Sequence, residues 1–168
     1  MAEGRGLQEF TPLRFPYTEI RSSKTGEVFY NPTAPVRIVA PGAGGSLEGP
    51  VLLDTGADRT HIPRDVAERL DIDLTGLPER TMSWGDGWEM TVLEAPPGFR
   101  AIVGDFVVPL RPVIGRDFGS PVMGHDFLES FRATFDGRAR MVELEPNGDV
   151  GQLMPDGRVR YLEIPAAA

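Results

Sequence analysis

Glycine and proline place the strongest constraint on what this chain can fold into. Its 168 residues include 20 Gly and 16 Pro, spread along the sequence without a period. Both residues interrupt regular elements, because Gly costs backbone entropy and Pro lacks an amide proton. The segments left between them are short, which favours many strands and turns over long helices. We therefore predict a mostly β fold with one or two short helices.

The apolar pattern locates the predicted elements. Two short helices are predicted, at residues 63–70 and 125–131, and the phenylalanines of the second, Phe127 and Phe131, are expected in the core. Turn signals and alternating apolar positions predict the β elements. Hairpins are predicted at residues 17–30 and 81–94, and strands at 36–40, 50–53, 101–110, 121–123, 133–135, 140–144 and 159–164.

Composition narrows the class of protein. Hydrophobic residues make up 40% of the chain and charged residues 25%, as is typical of a soluble globular domain. The net charge of −8 argues against a nucleic-acid partner, because phosphate would be repelled. There is no cysteine, no apolar stretch long enough for a membrane span and no signal-peptide pattern at the start. We predict a cytoplasmic protein without a membrane partner.

The tripeptide Asp54-Thr55-Gly56 is the most informative motif in the sequence. A buried apolar strand that ends in Asp presents a carboxylate at the floor of a cleft. Gly56 lets the backbone turn sharply and approach a ligand closely, and the Thr55 hydroxyl can hold the loop by hydrogen bonds. The tripeptide alone is also compatible with a turn capped by Asp, so its flanks decide the interpretation.

The flanks resemble the active-site loop of retropepsins, the single-domain aspartic proteases of retroviruses and their cellular relatives. That loop has two apolar residues, then Asp-Thr/Ser-Gly-Ala, a polar pair and Thr, and residues 52–60 match it at every position. A second family signature, two apolar residues and Gly before a short helix, appears at Val122-Met123-Gly124. The resemblance covers residues 36–144 and implies a small closed barrel of antiparallel strands with aspartic endopeptidase activity.

The resemblance also assigns roles to individual residues. Asp54 would be the catalytic carboxylate, Thr55 would form a hydrogen-bonded brace across a dimer, and Gly56 would complete the catalytic loop and hold substrate backbone. The residues expected to bind a peptide or protein substrate belong to this loop and to the tip of a Gly-rich flap hairpin: Ala57, Asp58, Trp84, Gly85, Gly87 and Trp88. The alternative for the two tryptophans is hydrophobic cover for the hairpin base.

The same resemblance divides the chain into three parts, and the sequence departs from the family pattern at one position. We predict an arm and hairpin over residues 1–33 that could associate with a dimer, a catalytic domain over 34–145 and a C-terminal hairpin or strand extension over 146–168. His125 stands where many retroviral members have an Arg that braces the polar residue of the loop, here Asp58. Arg116 or Arg14 could replace that Arg.

A single Asp-Thr-Gly implies two chains. Peptide hydrolysis by this chemistry needs two carboxyls that share one proton, one acting as a base on water and the other polarising the scissile carbonyl. The sequence contains one such motif. A two-fold axis would deliver the same residue from both subunits, which predicts a homodimer. The reaction requires no cofactor and no metal.

Two alternatives remain from other classes of protein. One is a non-catalytic module of the same fold that binds peptides or only dimerises, since fold does not guarantee activity. The other is a metal-dependent hydrolase that uses Asp54, Asp58 and His61, whose spacing matches no standard ligand pattern. Asp117 and Asp126 are predicted to be surface or helix-capping carboxylates.

Overall fold

The computed structural model describes residues 10–42, 44–84, 86–116, 118–147 and 150–161. Within these ranges the chain consists mainly of short strands, with two helices. The elements in chain order are β1 (Leu13–Pro16), β2 (Thr18–Arg21), β3 (Val28–Asn31), β4 (Thr33–Val39), β5 (Ser46–Leu53), β6 (His61–Pro63), α1 (Arg64–Arg69), β7 (Glu79–Ser83), β8 (Glu89–Glu94), β9 (Arg100–Val103), β10 (Phe106–Pro109), β11 (Val113–Gly115), β12 (Val122–Met123), α2 (His125–Leu128), β13 (Phe131–Asp136), β14 (Met141–Pro146), β15 (Gly151–Leu153) and β16 (Val159–Tyr161).

Among the described residues these strands form three sheets. The largest has the order β16-β15-β10-β9-β4-β5-β12-β6-β11-β8-β7, a smaller one has the order β1-β14-β13, and β2 pairs with β3. The mostly β class is confirmed, as are both predicted hairpins. In the described pairings the largest sheet has β16 at one edge and β7 at the other, so its closure into a barrel stays a prediction.

Two strand pairs depart from the predicted antiparallel arrangement. Strand β12 runs parallel to β5, and β11 runs parallel to β6. The prediction of a purely antiparallel sheet is therefore wrong at these positions. The reason is topological, because after the β9–β10 hairpin the chain returns to the centre of the sheet as β11 and β12 instead of pairing with the strand that it has just left. As a result the segment before α2 lies beside the end of β5.

Both helices are shorter than predicted. Pro63 ends β6 and immediately precedes α1, whose residues Val66 and Ala67 are buried against the core. Helix α2 ends at Leu128, since Phe131 already begins β13 and pairs with Pro146. Phe127 and Phe131 are nevertheless buried, with ring centroids 5.2 Å apart, so their predicted place in the core is confirmed.

The parts predicted as separate segments share sheets. Strand β1 of the predicted arm pairs with β14, and β15 of the predicted extension pairs with β10. Ala34, Val36 and Ile38 of β4 and Leu53 of β5 belong to the buried cluster of the core.

In the described part of the chain no helix has the length and apolar character needed to cross a membrane. The predicted Asp117 and Gly85 lie outside the described residues.

Candidate active site

The Asp54 carboxylate lies where β5 meets β12. Val51 and Leu53 anchor β5 in the core, and the Asp54 amide donates to the Met123 carbonyl at 3.0 Å. Asp54 itself is half-buried, and its Oδ1 accepts a hydrogen bond of 2.8 Å from the Gly56 amide. A Cβ added at Gly56 would lie 3.2 Å from that oxygen, so glycine at this position gives the carboxylate its close approach to the backbone.

The start of α2 holds the loop from below. The His125 amide donates to the Ala57 carbonyl at 2.8 Å, and the His125 ring Nε2 lies 2.8 Å from the Thr55 carbonyl. Gly124 makes this contact possible, because a Cβ there would be 2.5 Å from the Arg59 carbonyl carbon and oxygen. His125 therefore does hold the loop, although through the backbone of Thr55 and not through Asp58.

Asp126 is a buried brace that the sequence did not reveal. It is 3% exposed, and its Oδ1 accepts hydrogen bonds from the Thr60 amide at 2.7 Å and the Thr60 hydroxyl at 2.8 Å. Its Oδ2 accepts from the Arg111 amide at 2.8 Å. The prediction of a surface or helix-capping carboxylate is wrong, because three donors from distant parts of the chain converge on this side chain.

The two arginines considered as braces for Asp58 lie in other environments. Arg14 pairs with Glu143, with Nε and Oε2 2.7 Å apart. Arg116 is exposed and lines a second pocket on the far side of the flap hairpin. Asp58 itself is exposed and lines the cleft that contains Asp54. The support of the loop thus comes from His125 and Asp126.

An ion pair joins the loop to the base of the flap hairpin. Arg59 Nη2 lies 2.8 Å from Glu94 Oε2, and Arg80 Nη1 lies 3.4 Å from Glu94 Oε1. Burial alone would raise the Glu94 pKa, but the hydrogen bonds and charges of Arg59 and Arg80 outweigh it and hold this pKa below its usual range. Glu94 is therefore ionised at neutral pH and connects β8 with the residues that follow Asp54.

Asp54 opens into a cleft of about 410 Å³. The cleft is lined by residues of the active-site loop and of one side of the flap hairpin: Asp54, Gly56, Ala57, Asp58, His61, Met82, Ser83 and Trp84. Five of the residues predicted from the sequence, Asp54, Gly56, Ala57, Asp58 and Trp84, thus line one cavity. Thr55 is exposed beside it.

The two flap tryptophans face different pockets. Trp84 is half-buried in the cleft, whereas Trp88 is 48% exposed and lines a second pocket of about 390 Å³ with Arg64 and Arg116. The hairpin tip is closed by a hydrogen bond of 2.9 Å from the Gly87 amide to the Trp84 carbonyl, and Gly87 has a φ of 83°. The structure therefore brings Trp84, but not Trp88, to the cleft that contains Asp54.

His61 is a cleft residue whose environment the sequence did not predict. It is 9% exposed, and its ring lies parallel to those of Phe118, at 4.5 Å between centroids, and Trp84, at 5.8 Å. Burial lowers the His61 pKa, while the carboxylates of Asp54 and Asp126 oppose that shift in part. The signal that the sequence offers is the apolar pair Ile62-Pro63 directly after His61, which favours a buried strand.

The residues named for a metal-dependent alternative do not form a ligand cluster. Asp54, Asp58 and His61 line the same cleft. Within the described ranges, no three His, Cys, Asp or Glu side chains are grouped in a way that could hold a metal ion.

Comparison with solved structures finds a protein with a similar fold. The crystal structure of a retropepsin-like aspartic protease from Rickettsia conorii is similar to this chain, with a TM-score of 0.51 and 19% sequence identity. The match covers 81% of this chain and 100% of that one. No family model matches the chain, and no curated protein matches it. At this identity the likeness concerns the fold, which is similar to that of a retropepsin-like aspartic protease.

Proposed function

We propose that this chain is one subunit of a homodimeric aspartic endopeptidase. The observation that carries the proposal is the position of Asp54, half-buried in a cleft that is also lined by Met82 and Trp84 of the β7–β8 hairpin. The retropepsin-like fold of a solved structure supports it. The proposal includes closure of the large sheet into a barrel, with the cleft on the two-fold axis of the dimer.

In the proposed mechanism the Asp54 carboxyls of both subunits share one proton and hold a water molecule between them. The ionised carboxylate accepts a proton from water as the oxygen attacks the scissile carbonyl carbon, and the protonated carboxyl donates to the carbonyl oxygen. The tetrahedral intermediate then collapses, the C–N bond breaks and the leaving amine takes up a proton. The Gly56 amide donates to Oδ1 and fixes the position of the carboxylate.

The remaining site residues would position the peptide. Ala57 and Asp58 line the cleft beside Asp54, where they can contact substrate backbone. Thr55 is exposed in the single chain, which leaves it accessible to a second subunit. Its carbonyl is held by the His125 ring. We propose that the hairpin tip, with Gly85 and Gly87, closes over the bound peptide and excludes water, with Trp84 and not Trp88 in contact with the peptide.

The decisive test is Asp54→Asn. The amide is nearly isosteric but cannot accept the proton from water, so cleavage of a peptide library should be lost while the fold remains. Asp65→Asn is a matched control, because it makes the same chemical change at an exposed carboxylate of α1. Turnover that survives Asp54→Asn in a pure sample would refute the catalytic role of Asp54.

Two further measurements separate the alternatives. Specific activity should fall on dilution below the dimer dissociation constant, because a single subunit holds half of the proposed site. A chelator should leave cleavage unchanged, and loss of activity that added metal restores would favour the metal-dependent hydrolase. Peptide binding without cleavage by the wild-type protein would favour the non-catalytic module.

A further inference from the structure

His61 combines a buried position with a polar atom that the fold leaves unused. It begins β6, two residues after the polar pair of the active-site loop (Asp58 and Arg59), and its ring lies nearly parallel to two neighbouring aromatic rings. Trp84 covers one face at an interplanar angle of 12°, and Phe118 covers the other at 7°. Gly115 makes room for this arrangement, because a Cβ there would lie 2.7 Å from the Phe118 ring.

The Nε2 atom of His61 is buried without a hydrogen-bond partner in the described part of the structure. A buried polar atom that lacks a partner costs free energy, so such atoms are uncommon unless a ligand supplies the missing group. His61 also forms part of the wall of the Asp54 cleft. Because Nε2 is closed to solvent in this conformation, a molecule bound in that cleft can supply the missing group after a side chain of the cleft wall, such as Trp84, moves aside.

We propose that His61 is a specificity-determining residue, whose Nε2 hydrogen-bonds an uncharged polar side chain of the bound peptide. The inference depends on the peptide-binding part of the proposed function. Amide and hydroxyl groups fit because each can donate and accept, and so can pair with either tautomer of a neutral imidazole. A charged peptide side chain would lose its hydration beside the aromatic rings that pack against His61, and an acidic one would also be repelled by the carboxylates of Asp54 and Asp58.

The first test measures binding and is independent of catalysis. Asp54→Asn protein is mixed with a positional-scanning library of octapeptides that differ at each position by the near-isosteric pairs Thr/Val and Asn/Leu. At one position the polar member should bind about tenfold more tightly, because its apolar partner leaves Nε2 unpaired. Equal affinity for both members at every position, no binding of any peptide, or a preference for charged residues there would overturn the proposal.

Two substitutions in the Asp54→Asn background separate hydrogen bonding from stacking. His61→Phe keeps an aromatic ring between Trp84 and Phe118 but has no ring nitrogen, so the polar preference should vanish. His61→Gln loses the ring but carries an amide at a similar distance from the backbone, and should retain part of the preference. A preference that persists in His61→Phe would contradict the role of His61.

A spectroscopic measurement covers the case in which these variants fail to fold. The sequence has two histidines, so a His125→Gln sample assigns their imidazole ¹⁵N signals. The selected polar peptide should shift the His61 Nε2 signal, and its apolar partner should shift it much less; equal shifts would contradict the proposal. If the wild type cleaves no library peptide while these binding results hold, the endopeptidase proposal fails and the role of His61 stands.

Discussion

Replacing Asp126 by alanine removes the acceptor of three hydrogen bonds in the interior. Two of the donors, the amides of Thr60 and Arg111, belong to the backbone, and the hydrogen bond of the first is buried while that of the second is partly buried. The third is the Thr60 hydroxyl. Hydrogen bonds to a charged group contribute roughly 1.5–3 kcal/mol each. Part of this is offset, since the variant no longer buries a carboxylate, and we expect a loss of about 3–5 kcal/mol in the free energy of unfolding.

Two smaller substitutions divide that effect. Asp126→Asn keeps the shape but offers one acceptor oxygen, so either Thr60 or Arg111 meets an NH₂ group, and the cost should be about 1–3 kcal/mol. Thr60→Val removes only the hydroxyl bond and should cost about 1 kcal/mol. Asp65→Ala, at an exposed carboxylate of α1, is the control and should stay within about 0.5 kcal/mol of the wild type.

Urea unfolding measures these differences. Because dimerisation would make the apparent stability depend on concentration, each variant is unfolded at several protein concentrations and compared at the same one. An Asp126→Ala variant destabilised by less than about 1 kcal/mol would refute the three-bond brace. Equal losses for Asp126→Ala and Thr60→Val would show that the two backbone donors find other partners.

The remaining predictions concern the cleft and its supports. Trp84→Ala should lower kcat/KM several-fold, since about 1 kcal/mol of contact with bound peptide is lost. Trp88→Ala should change kcat/KM less than twofold, and equal effects of the two substitutions would contradict the assignment of the two tryptophans to different pockets. His125→Ala should lower kcat/KM about tenfold by freeing the Thr55 carbonyl, with partial rescue in His125→Gln, and unchanged kinetics would exclude this support. Burial lowers the pKa of His61 in the folded chain below its unfolded value of about 6.5. As the pH drops from about 6.5, the unfolded chain therefore binds the proton first, and the free energy of unfolding decreases until the pH reaches the folded pKa. The unfolding free energy of His61→Phe should lack that part of the pH slope, and an identical slope would contradict the assignment.

The parts of the site that were predictable from sequence are local. The path from β5 into Asp54-Thr55-Gly56 depends on neighbouring residues, since the Gly56 amide reaches the Asp54 carboxylate two positions away. The flap hairpin is likewise formed by adjacent strands, β7 and β8, so alternation and glycine at the tip were sufficient to predict it. The position of these residues around one cleft followed only from the motif resemblance.

The parts that were missed depend on contacts between distant segments. The sequence predicts a surface or helix-capping carboxylate at Asp126, because its neighbours along the chain do not reveal that Thr60, 66 residues earlier, donates to it. Sequence spacing does not specify which face of a hairpin lies toward the cleft, so the sequence predicts the same substrate-binding role for Trp84 and Trp88. Strand β11 was not predicted because three residues carry too little periodicity, and its parallel pairing with β6 arises from the tertiary fold.

The attachment of the flap hairpin at Glu94 has a mechanical consequence. In the described residues β8 pairs with β11 at Leu93 and Glu94, and near its tip the hairpin packs Trp84 against His61, so it is attached at both ends. Glu94 lies at the base of the hairpin and forms an ion pair with Arg59, which follows Asp54 in the active-site loop. A peptide that binds at the hairpin tip as proposed would therefore act on the segment that carries Asp54 by two routes, the Glu94–Arg59 ion pair and the Trp84–His61 stack, and loosening the ion pair alone should leave the second route intact.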